Sequence, residues 1–454
     1  MIEKRSVQNT NTNKYFVITC TFLIFSYPFY ASNVLPMRVT LAMFMLGVFF
    51  VFVQYVRMGW FRPMELRGMM LWVAAAFLVL LSFALSNYSY EYSRFFYPIC
   101  LALSIGCSLV SSGFKKDWMS TSLKTVCIML VPFAVGTLFL YMFPEVFPSI
   151  KAVLFSESVF ATGYKSGLTT HYSYNGTYNI VGFIIAFGLA VYSNEAKQSR
   201  RAWAIVAILF FCALLLIGKR QTLLFGMMAV VLVYVLSNKK NKIKTLTISV
   251  AVLCGVGLLM MYFVPGIENT LIRFFSSFGN DDIGEVTSSR DVIWVSAFTG
   301  WLEHPLFGNG WGTFSYQFSE TNTVHVAHNE LLDLLYSVGI VGSLVFVVCM
   351  MSTLLLTIRL FYNAQRDRIQ AAIPHAKTIL SISLMIQIYD ISMGFSIGSI
   401  LGSPTSFMPY LLAAGIALYC YRNIRLINKQ KYSFFSESSC KEGHPNEDNY
   451  FNHR

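Results

Sequence analysis

Lys219 and Arg220 stand side by side in the short connection G-K-R-Q between two apolar runs, Arg290 opens the stretch S-S-R-D-V-I-W, and His328 precedes Asn329 in A-H-N-E-L-L-D. A guanidinium binds phosphate bidentately and an ammonium adds a point charge, so a cation pair at a membrane surface suits a lipid-linked diphosphate. The same pair also fits two side chains snorkelling to headgroups. Arg290 has two readings as well: a second arm of a diphosphate clamp, or a contact with Asp291 or a headgroup. His328 sits where a helix should begin, and the positive end of a helix favours neutral imidazole. A neutral histidine with a pKa of roughly 6.5 can take a proton from a hydroxyl at neutral pH. A capping or interfacial histidine is the alternative. His325, three residues earlier, could share that surface but has no separate reason for a role.

Among the acids, Asp390 lies beyond Lys377 by roughly 20 Å of helix, in the outer half of an apolar run. An intramembrane acid is a functional candidate by default. It can pair with Arg38 or Arg94, or contact an acceptor sugar. Asp281 and Asp282 in G-N-D-D-I read as solvated loop acids and not as metal ligands.

The elements that must position these residues are membrane helices. The chain of 454 residues is 55% apolar and 12% charged, too few charges to cover a water-soluble surface. Windows of roughly 19 residues pick out about twelve spans. They lie near 15–31, 35–56, 69–86, 95–112, 125–143, 177–193, 202–218, 221–237, 245–264, 339–358, 378–400 and 404–421. The expectation is an all-α polytopic membrane protein, a single membrane domain over 1–421 followed by a disordered cytoplasmic tail over 422–454. The first span resembles a signal peptide but lacks a cleavage site, and reads as a retained anchor.

With the N-terminus inside, 26 of the 34 Lys and Arg residues fall on the inner side and eight on the outer, which places both termini in the cytoplasm. The formal charge of +12 therefore reports topology; the basic residues are scattered between spans, and no nucleic-acid partner is expected. Nine cysteines include no C-x-x-C pair, and all but Cys440 lie in apolar stretches, so they read as small core residues. Two outer loops are long, 144–176 and 265–338, and long loops on one face concentrate function. The first contains Lys151, Lys165 and His171, a candidate contact with the acceptor. The second carries an amphipathic stretch, Asp291 to Leu302, whose Ile293, Ala297 and Trp301 repeat at helical spacing and could lie in the interface. Gly308, Gly310 and Gly312 suggest a tight turn that seats Trp311 and Phe314 at the interface, and Gly339 and Gly342 suggest close helix packing.

The order R-D-V-I-W, then H-P-L-F-G-N-G-W-G-T-F over 304–314, then A-H-N-E-L-L-D-L-L-Y-S-V-G-I-V-G resembles the O-antigen ligase and O-antigen polymerase superfamily of bacterial surface polysaccharide assembly. His328 and Asn329 are followed by nine residues and then Gly339 and Gly342, similar to a ligase-type H-N-x9-G-x-x-G motif. The motifs cover roughly 218–342, and the earlier spans match in hydropathy alone. By this resemblance Arg220 corresponds to the upstream arginine, Arg290 to the loop arginine and His328 to the essential histidine. Lys219, Arg220 and Arg290 would hold the diphosphate, with Asn329, His325 and Asp390 as acceptor or support residues.

The resemblance implies an inner-membrane glycosyltransferase acting on the periplasmic face, with an undecaprenyl-diphosphate-linked oligosaccharide as donor. The acceptor is another lipid-linked glycan for a polymerase or lipid A core for a ligase. The nine-residue spacing favours ligase; polymerases of the superfamily are more numerous and diverse, and the reading leans to polymerase. A chain-length regulator is a candidate partner. The first outer connection, A-S-N-V-L-P-M, lacks the acids that metal-dependent oligosaccharyltransferases of related architecture place there, so neither metal nor other cofactor is expected. A flippase of lipid-linked glycans is the competing class, which paired halves and interrupted helices would favour.

Overall fold

In a computed structural model, the described residues are 14–26, 36–57, 70–85, 118–154, 163–237, 242–263, 290–366 with short breaks, 375–395 and 407–425, and isolated positions at 29, 369 and 373. The helices are α1 (Lys14–Ile24), α2 (Met37–Arg57), α3 (Met70–Leu85), α4 (Trp118–Met142), α5 (Phe147–Leu154), α6 (Tyr172–Tyr192) and α7 (Lys197–Ile217). They continue with α8 (Arg220–Leu236), α9 (Lys242–Phe263), α10 (Arg290–Glu303), α11 (Glu330–Gln365), α12 (Ala376–Gly394) and α13 (407–425). Among the described residues the fold is all-α apart from one antiparallel pair of two-residue strands, β1 (Tyr316–Gln317) and β2 (Val324–His325).

Helices lie on eleven of the twelve windows expected from hydropathy; the other, 95–112, falls outside the described residues, as do Arg94, Asp281, Asp282 and the polar tail. Among the described residues, four helices are long and apolar enough to cross a membrane, α4, α6, α7 and α11. The last helix runs on to 425, past the expected end at 421.

The bundle centres on α6, which packs against α4, α7, α8 and α12. Glycines set the closest approaches. A Cβ at Gly182 would meet the Phe210 ring at 2.3 Å, and one at Gly226 would meet Ile180 at 2.2 Å. Small residues of this kind let apolar helices approach where lipid gives no hydrophobic drive. Hydrogen bonds between side chains and neighbouring spans fix the register. Gln387 donates to Thr357 at 2.7 Å, Trp72 to Thr353 at 3.2 Å and Thr378 to the Tyr192 carbonyl at 2.9 Å.

Helix α11 is broken. Gly339 has φ 66° and ψ −171°, which no residue with a Cβ adopts cheaply, and a Cβ there would lie 2.3 Å from the Leu306 carbonyl oxygen. The segment after α10 fills the break. Ile340 and Val341 donate their N–H groups to the Pro305 and Leu306 carbonyls, while Asn309 and Gly310 donate to Tyr336 and Ser337. Gly339 is therefore a docking point for a loop, not the small-residue helix contact its spacing suggested; at Gly342 a Cβ would meet Val338 of its own helix at 2.5 Å.

Candidate functional site

Gly218 ends α7 in the left-handed region at φ 67°, its N–H bonding to the Leu214 carbonyl, and the chain turns directly into α8 with Lys219 as N-cap and Arg220 as first helical residue. The lysine stem lies on α6, where Gly176 has no side chain to block it; a Cβ there would stand 3.4 Å from Lys219 Cδ. Its ammonium sits over the Tyr172 ring, 5.8 Å from the centroid. Arg290, opening α10, is close enough to Lys219 to oppose its charge. Burial first, then Arg290, pulls the Lys219 ammonium down to about 7 from the ordinary 10.5. Burial likewise lowers the Arg290 guanidinium, and the neighbouring Tyr172 opposes that shift. Among the described residues no carboxylate is in ion-pair range of Lys219. Three helix N-termini, those of α6, α8 and α10, thus present their positive ends together with two coupled cations.

His328 lies at the start of α11 in the left-handed region, φ 51°. A residue with a Cβ in that region is held by its surroundings, and histidine is among the few that tolerate it. What holds it is visible on both sides. Ala327 is fully buried in a small cluster with Ile293, Ala297 and Phe314, and Asn329 caps α11 by accepting N–H groups of Leu331 and Leu332 at 3.0 and 3.3 Å. That cluster ties His328 to the first turn of the helix that Arg290 opens. The Asn329 carboxamide oxygen is thereby engaged in the cap, where the sequence reading made it an acceptor or support group. His325 pairs across the ribbon with Tyr316.

Within the stripe Ile293, Ala297 and Trp301, the first two are buried, against its reading as an interfacial face, and Trp301 is half-buried. Ile293 and Ala297 pack on Phe314, Leu332 and Tyr336, and the Trp301 indole donates to the Pro305 carbonyl at 3.0 Å. Val292, Val295, Phe298 and Leu302 form the exposed apolar face instead. Trp311 and Phe314 are core residues too, not interfacial anchors. Trp311 packs on Phe346 with centroids 5.9 Å apart, and Phe314 meets Tyr336 edge-on at 4.9 Å.

Asp390 is buried in α12, 2% exposed, and its Oδ2 has no hydrogen-bond partner. It is not paired with Arg38, which is exposed at the start of α2. The adjacent Tyr389 hydroxyl faces Thr177 of α6 and Thr222 of α8, below the Lys219 turn. Arg220 is half-buried beside Lys219.

The cluster includes one residue of the first long loop. His171, expected near the acceptor with the rest of the 144–176 loop, caps α6 and sits within electrostatic reach of Lys219. Its spacing to any other site residue is undiagnostic; the available signal was the pair Asn175 and Asn179, polar groups inside an apolar span that mark where the loop folds in.

Residues 205–347 match the family model described as O-antigen ligase. The match supports the O-antigen ligase and polymerase superfamily and a role of that type in surface polysaccharide assembly, with lipid-linked glycans as substrates in general. It spans Lys219, Arg220, Arg290, His325, His328 and Asn329, and leaves His171 and Asp390 outside. A comparison with curated proteins finds no match.

Proposed function

We propose that this chain is a metal-independent, inverting glycosyltransferase of about twelve spans in the bacterial inner membrane, with both termini cytoplasmic and its site on the periplasmic face. It transfers an undecaprenyl-diphosphate-linked glycan to an acceptor sugar. The observation that carries the reading is the coupling of Lys219 and Arg290, two cations from separate elements held close together where three helices begin. Like charges brought close together suit a dianion, and the segment similar to O-antigen ligases contains both.

In the reaction, His328 takes the proton of the acceptor hydroxyl as the oxygen bonds to the anomeric carbon. The bond from that carbon to the diphosphate oxygen breaks, and the electron pair leaves with undecaprenyl diphosphate. Lys219, Arg220 and Arg290 stabilise the charge on the departing group. Attack opposite the leaving group inverts the configuration. The reading leans to extension of another lipid-linked glycan, a polymerase; the nine residues between Asn329 and Gly339 and the description of the matching family favour transfer to lipid A core as the second reading.

Purified protein is incubated with undecaprenyl-diphosphate oligosaccharide, with and without lipid A core, in EDTA, and products are resolved on a gel. A ladder on the lipid carrier identifies a polymerase, and transfer that needs lipid A core identifies a ligase. R290A and H328A should abolish either product while inserting normally. No new bond in any tube, with donor confirmed by a known enzyme, overturns the reading in favour of a flippase.

A further inference from the structure

The residues before α6 are folded into the bundle. The Asn175 carboxamide donates to Thr137 Oγ1 at 2.8 Å and to the Lys165 carbonyl at 3.0 Å, so one buried side chain pins the loop to α4. Gly167 passes through the same point at φ 55°, where a Cβ would stand 2.6 Å from Thr137 Oγ1. Thr169 closes the turn, its hydroxyl bonding to the Ser166 carbonyl at 2.7 Å and the His171 carbonyl at 2.8 Å. Leu168 fills the space left by Gly136 of α4. This local bonding holds the backbone that carries His171.

The His171 ring is oriented by its own cap. Nδ1 accepts the Ser173 N–H at 3.1 Å, so in the neutral ring the proton resides on Nε2. Burial, then the Lys219 charge, pushes the imidazole down to about 4, which keeps it neutral near pH 7. The ring lies 4.4 Å, centroid to centroid, from Tyr172, over whose ring Lys219 is seated. A neutral N–H donor adds a hydrogen bond to an anion without adding a third charge to the mutually repelling Lys219 and Arg290.

We propose that His171, through Nε2–H, is a further phosphate-binding residue of the donor site, acting beside Lys219 and Arg290 and supplied by the first long outer loop. The assignment rests on the diphosphate-donor reading above. It moves that loop from the acceptor side, where its sequence suggested a contact, to the donor side.

The test measures binding of undecaprenyl diphosphate to the full chain in nanodiscs at neutral pH, with phosphatidylglycerol as the competing source of a lipid phosphate. H171N and H171S both retain an oxygen able to cap α6 and remove the ring nitrogen, so a loss common to both reports the ring and not the cap. The expected result is about a tenfold weaker affinity in each, the size of one hydrogen bond to a charged group, with K219A and R290A weakened as well. Affinity within twofold of wild type in either His171 variant, while K219A and R290A still lose binding, overturns the proposal and leaves the donor site standing. Unchanged affinity in all four variants overturns the donor site and His171 with it. Equal dependence on His171 with phosphatidylglycerol alone assigns the ring to a headgroup site and overturns the proposal.

Discussion

Lys219 is poised at the edge of its charged state, because burial and Arg290 both oppose the ammonium and bring it to about 7. The unfolded chain would hold that proton up to the ordinary 10.5, so between about 7 and 10.5 the unfolded state binds more protons and stability rises with pH. Donor affinity runs the other way. In the proposed donor site the diphosphate would be attracted by the protonated lysine, whose population falls as pH passes 7, while His171 at about 4 contributes no titration in that window. The dissociation constant of a glycan-diphosphate donor should therefore rise on the order of tenfold from pH 6.5 to 8.5 as the melting temperature climbs slightly. K219R should flatten the affinity profile, since a guanidinium keeps its proton throughout. An affinity in the wild type that is level over this range would place Lys219 outside the donor contact.

At the scale of elements, the break in α11 aligns the site, because the loop after α10 hydrogen-bonds into it and the cluster of Ile293, Ala297, Phe314 and Ala327 then ties α10 to the residue before His328. G339A would force a Cβ against the Leu306 carbonyl in a backbone conformation that costs roughly 1–3 kcal/mol by itself. It should lower the melting temperature by several degrees and reduce turnover more than donor affinity, since Lys219 stands at the start of α8, away from the break, and only Arg290 of the donor cations is on the element docked there. G342A is the milder comparison, as the neighbour it meets is a Val338 side chain that can shift. Wild-type turnover in G339A would show that the break does not position His328. The same element shows how far sequence reading reached. The window 339–358 begins at the broken residue, because apolar runs report where helices lie. The helix start after His328 was legible in the local pattern, and Asn329 caps it at Glu330; that the two runs join through Gly339, and that Trp311 turns inward, was not, since each depends on a partner far away in sequence. Lys219, Arg220, Arg290 and His328 were legible as unusual charges and polar groups among apolar runs. His171 was not, because its place follows from Asn175 reaching back to Lys165 and Thr137.

The whole molecule has two distinct ends, and α6 measures the distance between them. His171 and the Lys219 turn lie at its N-terminal end, while at the other Glu195 pairs with Lys124 and the Arg200 guanidinium bonds to the Ala190 carbonyl at 2.9 Å. Its 21 residues span about 31 Å at 1.5 Å per residue, close to the hydrocarbon thickness, so the two ends lie on opposite sides of the bilayer once α6 crosses it. The Glu195 end carries Lys197, Arg200 and Arg201 at the start of α7, and the bias of Lys and Arg toward the cytoplasm predicts that end inside. Alkaline phosphatase inserted near His304, in an exposed stretch of the second long loop, should then be active, and a green fluorescent protein at residue 240 or joined after 425 should fluoresce. The reverse pattern would put Lys219, Arg290 and His328 on the cytoplasmic face, where an acceptor assembled outside cannot reach them, and the proposed transfer would fail on topology alone. A split pattern, with the 240 fusion fluorescent and the 425 fusion dark, would keep the site outside but make the number of spans after α8 odd.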